Sequence, residues 1–397
     1  EDDSMKFARR MDEIGTETAF EVLAKARKLE AQGRNIVHLE IGEPDFPTPP
    51  NIVEAAERAI RDGFTHYTPA GGLMPARQAV ADWIRRWYEV EVKAEQVVMV
   101  PGSKNVLLFT MLALVDKGDE VIVPDPGYAI YGSAAILAGG TTVPIALRER
   151  NQFRVDIEEL ASKITPRTKL LVINSPHNPT GGVLSTRDLE QIAELAMKHD
   201  FYVLSDEVYG QITYDGHHSS ILTVPGMLER TIYSDGLSKA YAMCGWRLGF
   251  AVSPLPLAQK METLMINSSS CAAAFTQMAA IEALSSPRSD RAVEEMVAEF
   301  KHRRDVVVDR LNALPGVTCH KPLGAFYVFP NITQTGQDER VLADHMLNEG
   351  GVALLAGSTF GREGKGYLRL SYANSIDQIE EGVKRMKGVL EKTAARA

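Results

Sequence analysis

Short apolar runs alternate with amphipathic stretches along most of the chain. Seven runs are nearly continuous in apolar residues and end at Gly, Pro, Asn or Asp; they are 97–100, 120–123, 142–145, 170–173, 202–205, 232–234 and 247–252. This pattern is typical of strands that are buried on both faces of a parallel sheet. Helical patterns such as 186–200 lie between most of them. The sequence therefore predicts an α/β fold whose large domain has a mostly parallel seven-stranded sheet flanked by helices.

The last third of the chain has a different pattern. A long amphipathic stretch, 291–314, predicts a helix, and short strands are predicted at 325–329 and 367–372. A final helix begins at Ser375, and Gln378 three residues later completes a predicted capping box. These elements predict a second, smaller α+β domain.

The beginning of the chain predicts one helix, at 17–32, which ends at Gly33. We expect an N-terminal arm and helix, residues 1–45, that belong to the small domain. The large domain is expected at 46–290 and the small C-terminal domain at 291–397.

Composition excludes several classes of protein. The chain has 397 residues, 45% of them hydrophobic, and a net charge of -9, so the basic surplus of a nucleic-acid-binding protein is missing. Its 3 cysteines are widely spaced and form no CxxC motif, which argues against a disulfide scaffold and a metal site. The longest apolar run, 106–115, is far shorter than the roughly 20 residues that span a bilayer. The opening EDDSMKFARR has no apolar signal region, so we expect a cytoplasmic protein, and whether the residues before Met5 are native stays open.

Polar motifs follow two neighbouring strand candidates. In INSPHNPTGG (173–182), Asn178 precedes a proline and can donate to a ligand beyond the strand's carboxyl end, although a plain β-turn explains it as well. In YVLSDEVYG (202–210), Asp206 ends an apolar strand, where a buried carboxylate needs a partner such as a cationic ring nitrogen. Tyr209 follows three residues later. The alternative for Asp206 is a helix N-cap.

Two further strand ends carry a glycine and an aromatic residue. VPGSKNVLLF (100–109) enters a helix, where Gly102 permits close approach and free N–H groups face a phosphate, although an ordinary strand-to-helix turn fits too. It matches neither the Walker A pattern nor GxGxxG. In DPGYAIY (125–131), Tyr128 can stack on a planar ring or simply pack.

SDGLSKAYAMCGWRLGF (234–250) places one lysine among small and apolar residues. Lys239 has the setting of an amine that forms a Schiff base, since burial and nearby cations lower the pKa of a lysine. Ser238 and Arg247 are candidate phosphate ligands. A lysine and an arginine on the protein surface are the alternative.

The order of these motifs is much more specific than any one of them. GSK, DPGY, NPTG, SDEVY, SK and an arginine eight residues later together resemble a class I/II aminotransferase, an aspartate aminotransferase-like member of the fold-type I enzymes that depend on pyridoxal 5'-phosphate (PLP). The resemblance runs from LEIGEPDFPTP (39–49) to YLRLSYA (367–373). It implies an enzyme of EC 2.6.1 that moves an amino group from an L-amino acid, aspartate or similar, to 2-oxoglutarate or another 2-oxo acid in a ping-pong reaction.

The resemblance assigns roles toward PLP. Lys239 would form the internal aldimine and later move the substrate proton, Asp206 would pair with the pyridinium nitrogen, and Tyr209 would bond the ring's phenolic oxygen together with Asn178. Tyr128 would stack on the ring. The implied phosphate ligands are Gly102, Ser103, Ser238 and Arg247, with Lys104 also in this turn and Tyr67 reaching the site of a neighbouring subunit. A homodimer with shared active sites is therefore implied.

The resemblance also assigns the substrate contacts. Arg369, in YLRLSYA, would hold the substrate α-carboxylate in a bidentate pair, and Gly42 and Asn178 would contact the same group. From the residue pattern alone, Arg369 would be an arginine on an edge strand. Lys104 either meets the distal carboxylate of an acidic substrate or faces solvent at a helix start.

Two positions depart from the family pattern. Gly236 stands where many members have Ser or Thr in the phosphate site, and Tyr128 stands where many aspartate-specific relatives have tryptophan. Because Gly236 has no hydroxyl, Ser238 and Arg247 are expected to supply a larger share of the contacts to the phosphate.

Other functions remain to be compared. A C–S β-lyase would share the residues that bind PLP and differ in the substrate pocket. A PLP-binding regulator would need an appended DNA-binding domain, for which about 40 residues before the core leave no room. A nicotinamide dehydrogenase would need a glycine fingerprint that is missing.

Overall fold

The computed structural model describes residues 5–394, and the chain there folds into twelve strands and thirteen α-helices. The strands are β1 (Val37–His38), β2 (Val97–Val100), β3 (Glu120–Asp125), β4 (Thr141–Ala146), β5 (Thr168–Asn174), β6 (Tyr202–Asp206), β7 (Thr231–Gly236), β8 (Gly249–Val252), β9 (Tyr327–Val328), β10 (Val352–Ala353), β11 (Leu355–Ala356) and β12 (Leu368–Ser371). The helices are α1 (Thr18–Glu30), α2 (Pro50–Arg61), α3 (Met74–Tyr88), α4 (Lys104–Leu114), α5 (Ile130–Leu137), α6 (Ile157–Lys163), α7 (Thr186–His199), α8 (Leu237–Ala240), α9 (Leu255–Ser268), α10 (Ala274–Ser285), α11 (Pro287–Asn312), α12 (Glu339–Asn348) and α13 (Ile376–Ala394). No helix in this part of the chain is long and apolar enough to cross a membrane.

Seven strands form one sheet in the order β2-β8-β7-β6-β5-β3-β4. All its pairings are parallel except those of β8, which runs antiparallel to both of its neighbours. The predicted α/β fold with a mostly parallel seven-stranded sheet is confirmed. Because β2, β3, β5, β6 and β7 point the same way, the loops that follow them open at one edge. The antiparallel β8 begins at that edge, so the residues just before it lie there too.

Helices cover both faces of the sheet. In β2, Val98 and Val100 face a core that includes α4, α5 and α9, whereas Val97 and Met99 face α2, α3 and α10. This alternation follows from the twofold period of a strand. Both faces are buried, which is why the strand sequences are almost continuously apolar.

The remaining strands form a smaller layer with α11, α12 and α13. β9, β11 and β12 make an antiparallel sheet, and β1 pairs in parallel with β10, with Val37 opposite Val352. The beginning of the chain therefore joins the C-terminal layer. The domain limits at residues 46 and 291 stay a prediction, and residues 1–4 and 395–397 of the outer two segments lie outside the described residues.

Several local predictions need correction. The predicted strand 247–252 begins only at Gly249, because Arg247 has a left-handed backbone with φ of 53°. The long helix begins at Pro287, where Ser286 caps it through the N–H of Arg288. The predicted capping box at the last helix is only half formed.

In that box, Ser375 Oγ accepts from the N–H of Gln378 at 3.3 Å. The N–H of Ser375 donates to Asn374 Oδ1 at 2.8 Å rather than to Gln378. Asn374 therefore accepts the hydrogen bond from the Ser375 N–H that the predicted capping box assigned to Gln378.

Candidate active site

A cavity of about 490 Å³ lies at the carboxyl edge of the large sheet and is also lined by residues of the C-terminal layer. Of the thirteen predicted site residues, eleven line it; they are Gly42, Ser103, Lys104, Tyr128, Asn178, Asp206, Tyr209, Ser238, Lys239, Arg247 and Arg369. The fold therefore brings together motifs that lie far apart in the sequence. The other two, Gly102 and Tyr67, do not line the cavity.

Lys239 lies on α8, directly after the end of β7. Its Nζ donates a hydrogen bond to the carbonyl oxygen of Gly42 at 2.5 Å. It also lies 6.0 Å from the ring centre of Tyr209 and 5.9 Å from that of Phe326. Within residues 5–394, no carboxylate makes an ion pair with it. Lys239 is therefore an amine that faces the cavity without a fixed counter-ion.

Asp206 ends β6, and its side chain is buried, with 4% of the residue exposed. Its Oδ2 accepts from the hydroxyl of Tyr131 at 2.8 Å, and Oδ1 accepts from the N–H of Val208 at a long 3.4 Å. Burial raises the pKa of Asp206 to about 6. No α-helix begins at this point, so the alternative of a helix cap is wrong.

This carboxylate lacks a cationic partner. No Lys, Arg or His in the described chain makes an ion pair with Asp206, although a buried charge is stable only when it is paired. Its position in the cavity suits a ligand that places a positive charge beside this carboxylate.

We call the polar corner of the cavity at the start of α4 the phosphate corner. Ser103 and Ser238 line it together with Arg247, which pairs with no carboxylate in the described part of the chain and donates from Nη1 to the carbonyl oxygen of Cys244 at 2.8 Å. Gly102 leaves room for the guanidinium, since a Cβ there would lie 2.3 Å from Arg247 Nη2. The N–H groups at the α4 N-terminus, two hydroxyls and a guanidinium suit a phosphate.

Gly236 is packed tightly beside this corner. A Cβ at Gly236 would lie 3.2 Å from Gly249 Cα and 3.2 Å from the carbonyl oxygen of Leu248. The backbone spacing therefore leaves little room for the hydroxyl residue that many proteins with this motif have here.

Arg369 lies on β12 and is buried, with 4% of the residue exposed. Its Nη1 donates to Asn178 Oδ1 at 3.3 Å and its Nη2 donates to the carbonyl oxygen of Glu40. Its Nε is buried and has no hydrogen-bond partner within residues 5–394, nor does any carboxylate there form an ion pair with Arg369. Burial lowers the pKa of this guanidinium. An incoming carboxylate would satisfy it.

Two tyrosines contact each other between Lys239 and Arg369. The hydroxyls of Tyr209 and Tyr327 are 2.7 Å apart, and the Arg369 guanidinium lies 4.6 Å from the Tyr327 ring centre. A Cβ at Gly42 would lie 1.9 Å from the Tyr327 hydroxyl, so only glycine fits there. The sequence predicted a strand around Tyr327 but no chemistry for it.

The rim of the cavity holds a second charged group. Tyr128 donates from its hydroxyl to Glu17 Oε1 at 2.6 Å, and Lys104 forms an ion pair with the same carboxylate. Lys104 is therefore neither isolated in solvent nor free. The ring of Tyr128 meets that of Tyr131 edge-on at 5.9 Å.

Four residues of the site escaped the sequence reasoning. Tyr131 follows Tyr128 by three residues, and this helical spacing could have indicated a second inward-facing tyrosine. Glu17 and Tyr327 carry no local signal, and neither does Asn174, which lines the cavity and accepts from the N–H of Asn178 at 2.9 Å. Tyr67, predicted to act on a neighbouring subunit, is 89% exposed in this chain.

Several known proteins are similar to this chain over most of its length. The family model for aminotransferase class I and II matches residues 34–386. The chain is 43% identical to an aspartate aminotransferase of Pyrococcus abyssi over 93% of this chain and 95% of that one. It is 42% identical to aromatic-amino-acid aminotransferase 2 of Thermococcus litoralis, over 91% and 93% of the two chains. A solved structure of aspartate aminotransferase from Thermus thermophilus with maleate superposes with a TM-score of 0.93 at 38% identity, over 97% of this chain and 100% of that one.

Proposed function

The chain belongs to the class I and II aminotransferases, and from this premise we propose that its amino donor is aspartate or a similar L-amino acid and its acceptor 2-oxoglutarate. It is a PLP-dependent aminotransferase of EC 2.6.1. One observation carries the choice of substrate class. A single cavity holds the guanidinium of Arg369 and the carboxylate of Asp206, neither of which forms an ion pair within residues 5–394, together with the amine of Lys239. The α-carboxylate of an amino acid would pair with the Arg369 guanidinium.

The residues of the cavity fit PLP. When bound, the cofactor supplies an aldehyde that condenses with amines and a ring that withdraws electrons from the substrate Cα. Arg247, Ser103 and Ser238 would hold its phosphate, with Gly102 shaping the corner. The buried charge of Asp206, which lacks a cation in the described chain, would pair with the ring nitrogen.

The remaining cofactor contacts are proposed from the residues around the amine. Lys239 would hold the aldehyde carbon. Asn178 and Tyr209 would bond the ring's phenolic oxygen, and Tyr128 would lie against the ring. Tyr327, whose hydroxyl contacts that of Tyr209, is then placed to orient it.

The chain's own groups divide the work of the reaction. Arg369 and Asn178 would hold the substrate α-carboxylate, and the backbone of Gly42, where the Tyr327 hydroxyl excludes any side chain, would contact the same group. Because the carboxylate is held at one position, the direction in which the Cα–H bond points is restricted. Lys239 Nζ, once the substrate amine has displaced it, would take the proton from Cα, and Asp206 would keep a proton on the ring nitrogen by its negative charge.

The test of this proposal is a panel of amino donors assayed against 2-oxoglutarate with the purified protein and PLP. We expect a 2-oxo acid from aspartate or a similar donor, formed only when an acceptor is present. Continuous 2-oxo acid formation without an acceptor would instead indicate a C–S β-lyase. Inactivity with every L-amino acid donor would overturn the proposal.

Gly102 offers a test of the phosphate corner. In Gly102→Ala we expect PLP to bind about tenfold more weakly, or about 1.4 kcal/mol, because the new Cβ displaces the Arg247 guanidinium. The dissociation constant is measured by absorbance titration of the cofactor-free protein. Gly63→Ala is the matched control, since its φ of 88° is close to the 82° of Gly102 and nothing lies within 4 Å of its Cβ position. Equal affinity in Gly102→Ala and the parent would contradict this assignment.

The assembly is also a proposal. We propose a cytoplasmic homodimer with shared active sites, in which the exposed Tyr67 reaches the phosphate corner of the other subunit. The domain limits 46–290 and 291–397 belong to the same proposal. Sedimentation of the purified protein tests the dimer.

A further inference from the structure

We propose that Glu17 substitutes for the side-chain carboxylate of a dicarboxylic substrate, so that one pocket accepts both acidic and uncharged amino acids. The inference rests on the proposed function and on the role that the family resemblance offers for Lys104, whose ammonium would meet the distal carboxylate of an acidic substrate. Glu17 then sets substrate specificity. It stays paired with Lys104 when the substrate has no second carboxylate, and it must move away from Lys104 when the substrate has one.

The first observation is the direction of the Glu17 side chain. Glu17 occupies the N-cap position of α1, where a side chain commonly accepts a helix N–H, yet it makes no such bond. Its Oε1 instead accepts from the hydroxyl of Tyr128 at 2.6 Å and from the ammonium of Lys104. Residues 16–20 line the cavity together with these two partners. The carboxylate is therefore held at the rim of the candidate substrate site.

The second observation is that this contact joins two layers across the cavity. Helix α1 packs through Ala26, Val22 and Leu29 on Leu347 and Ala353 of the C-terminal layer. Lys104 begins α4 and Tyr128 follows β3, so both partners belong to the large sheet's layer. Glu17 thus reaches from one wall of the cavity to the other, as a bound substrate would.

The charges explain why the two carboxylates exclude each other. Burial raises the pKa of Glu17, but the bonds from Lys104 and Tyr128 outweigh it and lower this pKa, so Glu17 is ionised at neutral pH. In the described chain, Glu17 is the one carboxylate paired with Lys104. A substrate carboxylate at Lys104 would meet like-charge repulsion unless Glu17 moved away.

A substrate with an uncharged side chain instead requires Glu17 to stay paired with Lys104. If it entered beside an unpaired Lys104, the ammonium would lose water without gaining a partner. Glu17 removes this cost because its side chain is 27% exposed and Lys104 is 47% exposed, so the pair can persist at the rim while an aromatic side chain fills the pocket. Specificity then depends on whether Glu17 stays or moves.

The test compares Glu17→Gln with the control Glu21→Gln in the holoenzyme. In Glu17→Gln we expect kcat/KM for aspartate to rise about fivefold, mainly through KM, and kcat/KM for phenylalanine to fall about fivefold, as expected for a half-exposed ion pair. Glu21 is an exposed carboxylate of the same helix that bonds Thr16 instead of Lys104, so Glu21→Gln should leave both values unchanged. An unchanged aspartate-to-phenylalanine ratio in Glu17→Gln would overturn the proposal.

A double-variant cycle shows whether the effect passes through Lys104. In a Lys104→Met background, Glu17→Gln should no longer alter the ratio, because the residue that both carboxylates use is gone. The same ratio change in both backgrounds would overturn the proposal.

A binding measurement separates this inference from the proposed function. Glu17→Gln should bind succinate about fivefold more tightly, and 3-phenylpropionate no more tightly, than the parent, as measured by calorimetry. If the parent transaminated no donor, the proposed function would fail, while the succinate affinities would still decide the role of Glu17. Equal succinate affinity in the parent and Glu17→Gln would contradict that role.

Discussion

Lys239→Ala is expected to lower turnover by at least about 10⁴-fold, the largest effect of any single substitution in the site. Among the described residues two lysines line the cavity, and of these Lys239 alone makes no ion pair, since Lys104 is paired with Glu17. Methyl cannot take a proton from the substrate Cα or hold the cofactor aldehyde. PLP should still bind through the phosphate corner, but without a covalent link.

Borohydride reduction followed by peptide mass spectrometry checks this result independently of turnover. The parent protein should carry the reduced cofactor on Lys239, and Lys239→Ala should carry none. Lys104→Met is the matched control, because it removes the other lysine of the cavity and should keep the label at Lys239. A fully active Lys239→Ala, or a parent labelled elsewhere, would show that another amine performs this role.

The position of Lys239 illustrates what the sequence could predict. Strands buried on both faces have a strong apolar pattern, and the residues that follow parallel strands must meet at one edge. The apolar pattern therefore predicts that the segments carrying Asn178, Asp206 and Lys239 end near one edge, but only the order of the motifs and the family resemblance assigned the three residues to one site. The antiparallel direction of β8 was not predictable from its apolar residues, because both directions bury the same side chains.

The second half of the site depends on long-range contacts that no local pattern indicates. Glu17 meets Tyr128 over 111 residues of sequence, and Arg369 meets Asn178 over 191 residues. Arg369 was found only through the resemblance of YLRLSYA to a family motif. Tyr327 was placed in a strand, but its contact with Tyr209 depends on how the two layers pack.

Asp206→Asn is the second substitution with a large expected effect. We expect kcat to fall about 10²- to 10³-fold, because an amide of the same shape carries no negative charge to hold a proton on the ring nitrogen. Asp235→Asn is the control: Asp235 is also a buried carboxylate near this sheet edge, but it bonds Gly236 and Tyr233 and does not line the cavity. It should change kcat by less than about threefold. A similar loss in both variants would mean that the effect is structural.

The same substitution should stabilise the cofactor-free protein, and the pH dependence of this gain has a definite sign. The pKa of Asp206 is about 6 in the folded chain against 3.8 as its ordinary value, so folding favours its neutral form. The destabilisation is absent below about pH 4, grows as the pH rises to about 6 and is then constant, at about 3 kcal/mol for a difference of this size. Asp206→Asn removes it, so the gain in free energy of unfolding should be larger at pH 8 than at pH 4.

Urea unfolding of the cofactor-free protein at the two pH values measures this gain, with the parent as reference. Asp206→Asn is then expected to lower activity and raise stability. The negative charge that destabilises the empty site is the same charge that would pair with the cofactor's ring nitrogen. If Asp206→Asn were less stable than the parent at pH 8, the carboxylate would already have a favourable partner in the empty site, and its proposed pairing with the ring nitrogen would lose its physical basis.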